Sequence, residues 1–475
     1  MTHIAGVDRT QAVLLPEVLD DYLGPAHPVR FLDAFVAPLD LAALGLQRTT
    51  PAETGRPGYD PGDRLRLYLY GYLHRIRSSR RLEQETHRHV ELMWLLRRLT
   101  PDCKTIADFR RDHPQALKGV GREFVLLCKR LDRFGGALLA IDGSKFRAVN
   151  ARDRSFTPAR LAKLITTIDA TIAGYLQQLD VHDHREAAVT APTAAELQVQ
   201  IASLGQRRAR YDGFQQQLAG TGAGTLSLTD PDARPMVSGG TIEIGSTVQT
   251  AVDAKHKLIV AETVTNAAAD RAQLSPPALA AHAILEAPAA VVLADRGYYH
   301  GAEIKACLDA GITPLVPRPR TSANAALGRF TTDDFRYDPG HDAYRCPAGE
   351  TLTARVTTVE LGRQITYHRT PACRGCRLKP RCTRHRDGRR LTRWIHEHLQ
   401  DAMAERRRAH PQHARQRAAL AEHPFGTMKR GMDQGYFLLK GLTKVRGEFS
   451  LTVLASHLKR VLNLVGVPRL LAAVA

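Results

Sequence analysis

The sequence predicts a mixed α/β sheet with a helical insertion, preceded by an all-helical, arginine-rich segment, and three observations predict it. Two short apolar runs, Ala137-Leu-Leu-Ala-Ile141 and Ala289-Ala-Val-Val-Leu-Ala294, each lead into an aspartate, Asp142 and Asp295. Continuous apolar runs of that length suit strands covered on both faces. Between them, Thr247–Val252 and Leu258–Val264 flank the polar turn Asp253-Ala-Lys-His-Lys257, which is hairpin spacing. Helical periodicity separates the rest, and the order strand, hairpin, helix, strand, helix, strand is that of a mixed sheet.

Taken in order, Gly62 to Leu99 reads as helix, with Leu65, Leu69, Tyr72 and Leu73 at 3-4 spacing and Ser78-Ser79 dividing two helices. Pro101 stops this run, and Thr105-Ile-Ala-Asp108 has the form of a capping box that opens the next helix. Gly135-Gly136 is the first clear break, so residues 1–134 are expected to form one domain and residues 135–475 another. An insertion at about 152–236 carries two apolar helical stripes, Leu161 to Leu179 and Leu197 to Leu218, which should fold back on each other around the polar turn Asp183–Pro192. Helices are expected at Asp270–Leu285 and Glu303–Ala310, and a last strand at Ile312–Val316. A basic, loop-rich insertion at about 318–400 follows, then a helix around Met403–Arg408 and a closing helix from about Glu448. In that helix Leu454, Leu458, Val461, Leu462 and Val465 form a stripe that should pack on the sheet.

The chain has 475 residues and a formal net charge of +19. That length exceeds one simple core. The basic excess is spread along the chain, which favours an extended polyanion as partner. Membrane insertion is not expected: no apolar run approaches the roughly 20 residues that span a bilayer, and the start lacks a signal-peptide core. Seven cysteines, an odd number, argue against a disulfide framework and fit a reducing, cytoplasmic location.

Two strands that end in aspartate, if adjacent in one sheet, present both carboxylates at one edge, where α/β sites lie. Glu422 would have to come from a helix laid against that edge. Such a carboxylate set suits Mg²⁺ or Mn²⁺ at a phosphodiester, since hard cations prefer oxygen ligands. The plain alternative is that an aspartate after a strand forms a turn or caps a helix. Asp230, Asp232, Asp253 and Asp270 compete for the same role, and periodicity does not choose among them.

The segments Asp142-Gly-Ser-Lys-Phe-Arg-Ala-Val-Asn150, Val248-Gln-Thr-Ala-Val-Asp253, Ala294-Asp-Arg-Gly-Tyr-Tyr299 and Glu422-His-Pro-Phe-Gly-Thr-Met-Lys429 resemble bacterial insertion-sequence transposases, most closely the IS1182 group within the IS4/IS5-like DDE transposases. Arg56-Pro-Gly-Tyr-Asp60, Arg77-Ser-Ser-Arg-Arg-Leu82 and Thr105-Ile-Ala-Asp-Phe-Arg110 resemble that group's N-terminal domain. The resemblance implies a ribonuclease-H-like core, Asp142, Asp295 and Glu422 as catalytic, metal-holding acids, and DNA cleavage followed by strand transfer. It also implies double-stranded DNA partners, namely the element's terminal inverted repeats and the target, a homodimer on DNA and a place at the nucleoid. Lys145, Arg296, Lys429, Arg430, Arg77, Arg80 and Arg81 are the expected DNA contacts. A related signature sets Tyr and Arg seven and four residues before the glutamate; this chain has Arg415 and Ala418 there, with Arg417 one position off. Pro424 disfavours αR at His423, so Glu422 is expected near a helix boundary. A DNA-binding protein without catalysis and a metal nuclease without joining remain the alternatives.

Cys346, Cys373, Cys376 and Cys382 leave two readings open, structural zinc or free thiols. Cys103, Cys128 and Cys307 are expected to be small buried residues. Arg75 and Arg88 join the arginines whose plain reading is a solvated helix face, and His396 with His398 is not expected to bind metal.

Overall fold

The computed structural model describes residues 18–49, 58–150, 154–182, 193–221, 224–238, 240–287, 290–319 and 323–475. The turn expected at 183–192 and residues 56 and 57 of the first arginine motif lie outside the described residues.

Six helices come first: α1 (Pro28–Val36), α2 (Pro61–Leu73), α3 (Ser79–Thr86), α4 (Val90–Leu95), α5 (Cys103–Asp112) and α6 (Pro114–Arg130). Proline opens α1, α2 and α6, where its missing N–H is no loss. Ser78 caps α3, as its place between two helices suggested. The capping box expected at Thr105 is displaced. Asp102 caps α5 by accepting from the N–H groups of Lys104 and Thr105, and the Thr105 hydroxyl donates back to it.

The large sheet is built from β1 (Leu138–Arg147), β4 (Arg234–Ser238), β5 (Thr241–Asp253), β6 (Ile259–Thr265), β7 (Val291–Leu293) and β8 (Thr313–Leu315). Its path is β4-β5-β1-β7-β8, with β6 also paired to β5. β5 runs antiparallel to β1, while β1, β7 and β8 are mutually parallel. β1 does not stop at Asp142, because β5 continues to pair with it as far as Arg147. The helix expected from Asp270 is likewise divided into a 3-10 turn, Asp270–Ala272, and α9 (Ser275–Leu285), whose second and third residues are proline. α10 (Gly301–Asp309) joins β7 to β8.

Between β1 and β4 lie a short ribbon, β2 (Ser155–Phe156) with β3 (Leu226–Ser227), and the helical hairpin α7 (Pro158–His182) and α8 (Ala194–Thr221). Leu161, Ile168, Tyr211 and Leu218 meet Phe156 in a core of their own, so the two stripes do satisfy each other.

The stretch after Pro317 is not loop-rich. It holds a second, antiparallel sheet in the order β13-β12-β11-β10-β9: β9 (Arg336–Asp338), β10 (Ala343–Arg345), β11 (Thr351–Glu360), β12 (Arg363–Arg369) and β13 (Leu391–Trp394). Most of β11 is exposed, so no apolar alternation marked it. A single-turn helix, α11 (Lys379–Cys382), precedes β13.

Four helices close the chain: α12 (Glu397–Ala409), α13 (His413–Gly426), α14 (Leu442–Val465) and α15 (Val467–Val474). α14 begins six residues before the expected Glu448, because Asp230 and Asp232 accept from the N–H groups of Gly441 and Leu442 at its start. Every residue from Gly447 to Leu458 is buried. A helix apolar on one stripe would cover only the sheet; α14 lies between the sheet and the N-terminal helices. One core therefore runs from Phe31 and Phe124 through Leu454 and Leu458 to Leu139 and Ile141.

Candidate active site

β1 and β7 are neighbours in parallel register, Leu138 opposite Val291 and Ala140 opposite Leu293. Asp142 and Asp295 each follow that last pair by two residues, so the backbone brings both to the edge where β7 stops and β1 goes on. Ala294 leaves the strand, and Asp295 caps a 3-10 turn, accepting from Gly297 N–H at 2.7 Å. The turn-former reading of Asp295 is thus part of its role in the structure. Asp142 accepts its nearest hydrogen bond from Gly143 N–H at 2.9 Å.

α13 lies across the same face of β1. Leu420 and Ala421 pack on Ala140, and Phe425 reaches Phe146. Arg417, one helical turn earlier, points its guanidinium at Asp142, with Nη1 3.5 Å from Oδ2. The arginine that stands one position off the related signature is therefore the one that faces the acid.

Burial pushes the Asp142 carboxyl up to about 6; Arg417 and the Gly143 N–H oppose the rise, and the charges of Asp295 and Asp270 add to it. Burial likewise raises Asp270, which accepts from the Gln249 amide at 2.6 Å and feels Asp295 as well. The buried Tyr298 hydroxyl donates to the other end of Gln249, and burial, reinforced by all three aspartates, holds it protonated. Gln249 thus links Asp270 to Tyr298 beside Gly143. A Cβ on Gly143 would stand 2.7 Å from the Gln249 amide nitrogen and 3.0 Å from Asp270, so glycine is the residue that fits.

Of the competing acids, three have structural work elsewhere. Asp253 accepts from the N–H groups of Gly135, Gly136 and Lys255, while Asp230 and Asp232 cap α14. Asp270 alone joins Asp142 and Asp295. The sequence named Asp270 only as a competitor and gave Gln249 and Tyr298 no role, although both stand inside the quoted motifs.

Glu422 sits differently. α13 runs through Pro424 to Gly426 and then widens into a π turn, Thr427–Gly431, so Glu422 is inside the helix rather than at its boundary. Proline has no N–H to return to the Leu420 carbonyl, and the loosened last turn absorbs that loss. Glu422 is exposed, about 140° around the helix from Arg417 at ~100° per residue, and among the described residues its carboxylate makes no hydrogen bond or ion pair. No three His, Cys, Asp or Glu among the described residues are arranged to hold a metal ion.

The expected DNA contacts divide. Arg80, Arg81, Arg296 and Arg430 are exposed. Arg77 is not: it is 6% exposed, and its guanidinium serves Glu448 at 2.7 Å and the Tyr436 carbonyl at 2.6 Å. Lys429 is half-buried, donating to the Lys145 carbonyl at 2.7 Å over the Phe146 ring, while Lys145 donates to the Val237 carbonyl. Cys128 and Cys307 are buried, whereas Cys103 is partly exposed at the start of α5. Glu397, between His396 and His398, pairs with Arg318.

Two family models match the chain, one described as a transposase DDE domain over residues 345–462 and one as a transposase domain (DUF772) over residues 17–112. The first spans the small sheet from the end of β10, α12, α13 and most of α14, and so contains Glu422; the second spans the N-terminal helices to α5. No curated protein and no solved structure matches the chain. The two matches support an insertion-sequence DDE transposase, a DNA-processing enzyme whose family implies a DNA substrate. Among the described residues, no helix is long and apolar enough to cross a membrane.

Proposed function

We propose that the chain is a transposase of the IS1182 group, with Asp142, Asp295 and Glu422 as its catalytic acids, which cleaves DNA at the ends of an insertion sequence and joins the freed 3′-hydroxyls to target DNA. The observation that carries the reading is the parallel pairing of β1 with β7, which sets Asp142 and Asp295 side by side. A ribonuclease-H-like core is supported by the strand order β6-β5-β1-β7-β8, in which β5 runs antiparallel to both its neighbours and the other four strands run the same way.

The donors are all oxygen, which suits a hard cation, and the burial that raises Asp142, with the charges of Asp295 and Asp270 adding to it, is what a cation would offset. Asp142 and Asp295 would hold Mg²⁺ or Mn²⁺, which supplies activation of the attacking oxygen and stabilisation of the leaving one. Arg417 meanwhile balances Asp142, and Tyr298 with Gln249 fixes Asp270 beside it. In this reading Glu422 reaches the site when α13 turns on DNA. Arg80, Arg81, Arg296 and Arg430, exposed, and Lys145 and Lys429 nearer the acids, contact phosphate, and two chains act together on DNA at the nucleoid.

The test is incubation of the purified protein with its element ends and a target plasmid in Mg²⁺, beside Asp142→Ala. Cut and joined products from the parent alone are expected. Equal products from both proteins, or none from the parent, overturn the reading; cutting without joining replaces it with a nuclease.

A further inference from the structure

We infer that the small sheet carries a structural zinc site formed by the thiolates of Cys346, Cys373, Cys376 and Cys382. The four come from three separate turns, and the fold brings them to the wall of one pocket with Phe330, Phe335 and Arg389. Cys346 follows β10 in a tight turn, where its N–H donates to the Glu350 carbonyl and its carbonyl accepts from Gly349. Cys373 lies on the 3-10 turn Pro371–Arg374, Cys376 just after it, and Cys382 ends α11. All four are free thiols.

Three further observations point to a ligand among them. The Arg389 Nε on the pocket wall is buried without a hydrogen-bond partner, the kind of donor that an anionic tetrathiolate site would answer. Gly388, at φ +102°, presses so closely on Cys373 that a Cβ there would lie 2.2 Å from the cysteine Cβ, so the loop is wrapped tightly over that sulfur. The apolar cluster beside the four cysteines is small: its buried members are Phe335, Tyr344, Leu352 and Leu391. Small modules with so thin a core use a staple.

The sulfurs are not closed to bonding distance. Zinc–sulfur bonds of about 2.3 Å require sulfurs roughly 3.8 Å apart in a tetrahedron.

The full-length protein, without DNA, provides the test, which makes it independent of the catalytic reading. Zinc content of the purified chain should be about one per protein, falling below about a tenth in Cys373→Ser and Cys376→Ser and unchanged in Cys103→Ser. Where a serine variant fails to fold, the parent decides: Co²⁺ in place of zinc should give thiolate-to-metal charge transfer and the intense visible bands of tetrahedral cobalt. A parent without zinc that gives no such spectrum with Co²⁺ overturns the site, whether its thiols titrate as free or prove to be paired in a disulfide.

Discussion

In the large sheet β1, β5 and β7 are covered on both faces, and the ionised groups around them have directed partners: Asp253 takes three backbone N–H groups, Glu448 takes Arg77, and Asp142 takes Gly143 and Arg417. In the small sheet much of β11 faces solvent, and arginines rest on aromatic rings as well as on polar partners, Arg393 on Tyr337 at 3.5 Å, Arg390 on Tyr367 at 4.3 Å and Arg363 on Trp394 at 4.8 Å. The difference follows from solvation. A charge out of water has to be answered by specific groups, and losing one of them leaves the other stranded. A cation over a ring that water still reaches, as Arg390 over Tyr367, keeps part of its water and loses less when disturbed. The large sheet should therefore respond to substitution sharply and the small sheet by degrees.

The largest expected effect is on Asp142. Asp142→Asn should reduce cleavage at least about 10³-fold, as for other essential groups that act as a unit. It should also stabilise the metal-free protein. The unfolded carboxyl ionises near 3.8 and the folded one near 6, so the native state holds the proton more tightly and the parent loses stability as pH rises through that window. At most about 3 kcal/mol is involved. Denaturant melts with chelator should show the Asn variant gaining on the parent between pH 4 and pH 6 and holding the gain above it. A gain that does not vary with pH would contradict the buried-carboxylate account.

Next is the ion pair that ties the N-terminal helices to α14. Glu448 accepts from Arg77 and from the N–H groups of Leu438 and Leu439, at 0% exposure. Arg77→Met or Glu448→Gln should each cost about 3–5 kcal/mol, and the double variant less than their sum. Additive losses in a double-mutant cycle would show that the two do not depend on each other.

The same pair shows where the sequence ran out. Central strands were legible because cover on both faces writes a continuous apolar run, and the adjacency of Asp142 and Asp295 followed from two such runs. Arg77 looked like its neighbours Arg80 and Arg81, since its partner lies 371 residues away. The start of α14 was hidden for the same reason, its caps being Asp230 and Asp232. The small sheet left no periodic mark because its longest strand, β11, faces water along most of its length and β9, β10 and β13 are only three or four residues long. Asp270 emerged from its rivals only once their hydrogen bonds were known.

Within the small sheet, Arg393 is the best-connected cation. It lies over Tyr337 and donates to the Tyr344 hydroxyl at 3.2 Å and to Asp401 at 2.8 Å. Arg393→Ala should cost about 1–2 kcal/mol, less than either member of the Arg77–Glu448 pair. A loss as large as theirs, measured by the same melts, would erase the distinction between the two sheets.

The smallest effect on stability belongs to Arg80 and Arg81, and it sharpens the contrast most. Both are exposed on α3, only three and four residues beyond the buried Arg77. Arg81, itself exposed, has the buried Glu85 at 3.5 Å, but Glu85 keeps Arg88 and His89 as partners when Arg81 is lost, so this contact contributes about 0–1 kcal/mol. Arg80→Ala and Arg81→Ala should therefore leave unfolding within about 0.5 kcal/mol of the parent. If they contact phosphate, each loss should weaken binding to any duplex sequence and lower the slope of log K against log salt by about one. Arg77→Met should instead lose stability, and where it remains folded the salt slope should be unchanged. A reversal, with the slope moving for Arg77 and not for its exposed neighbours, would mean that α3 turns over when it meets DNA and that the buried ion pair is the state it leaves.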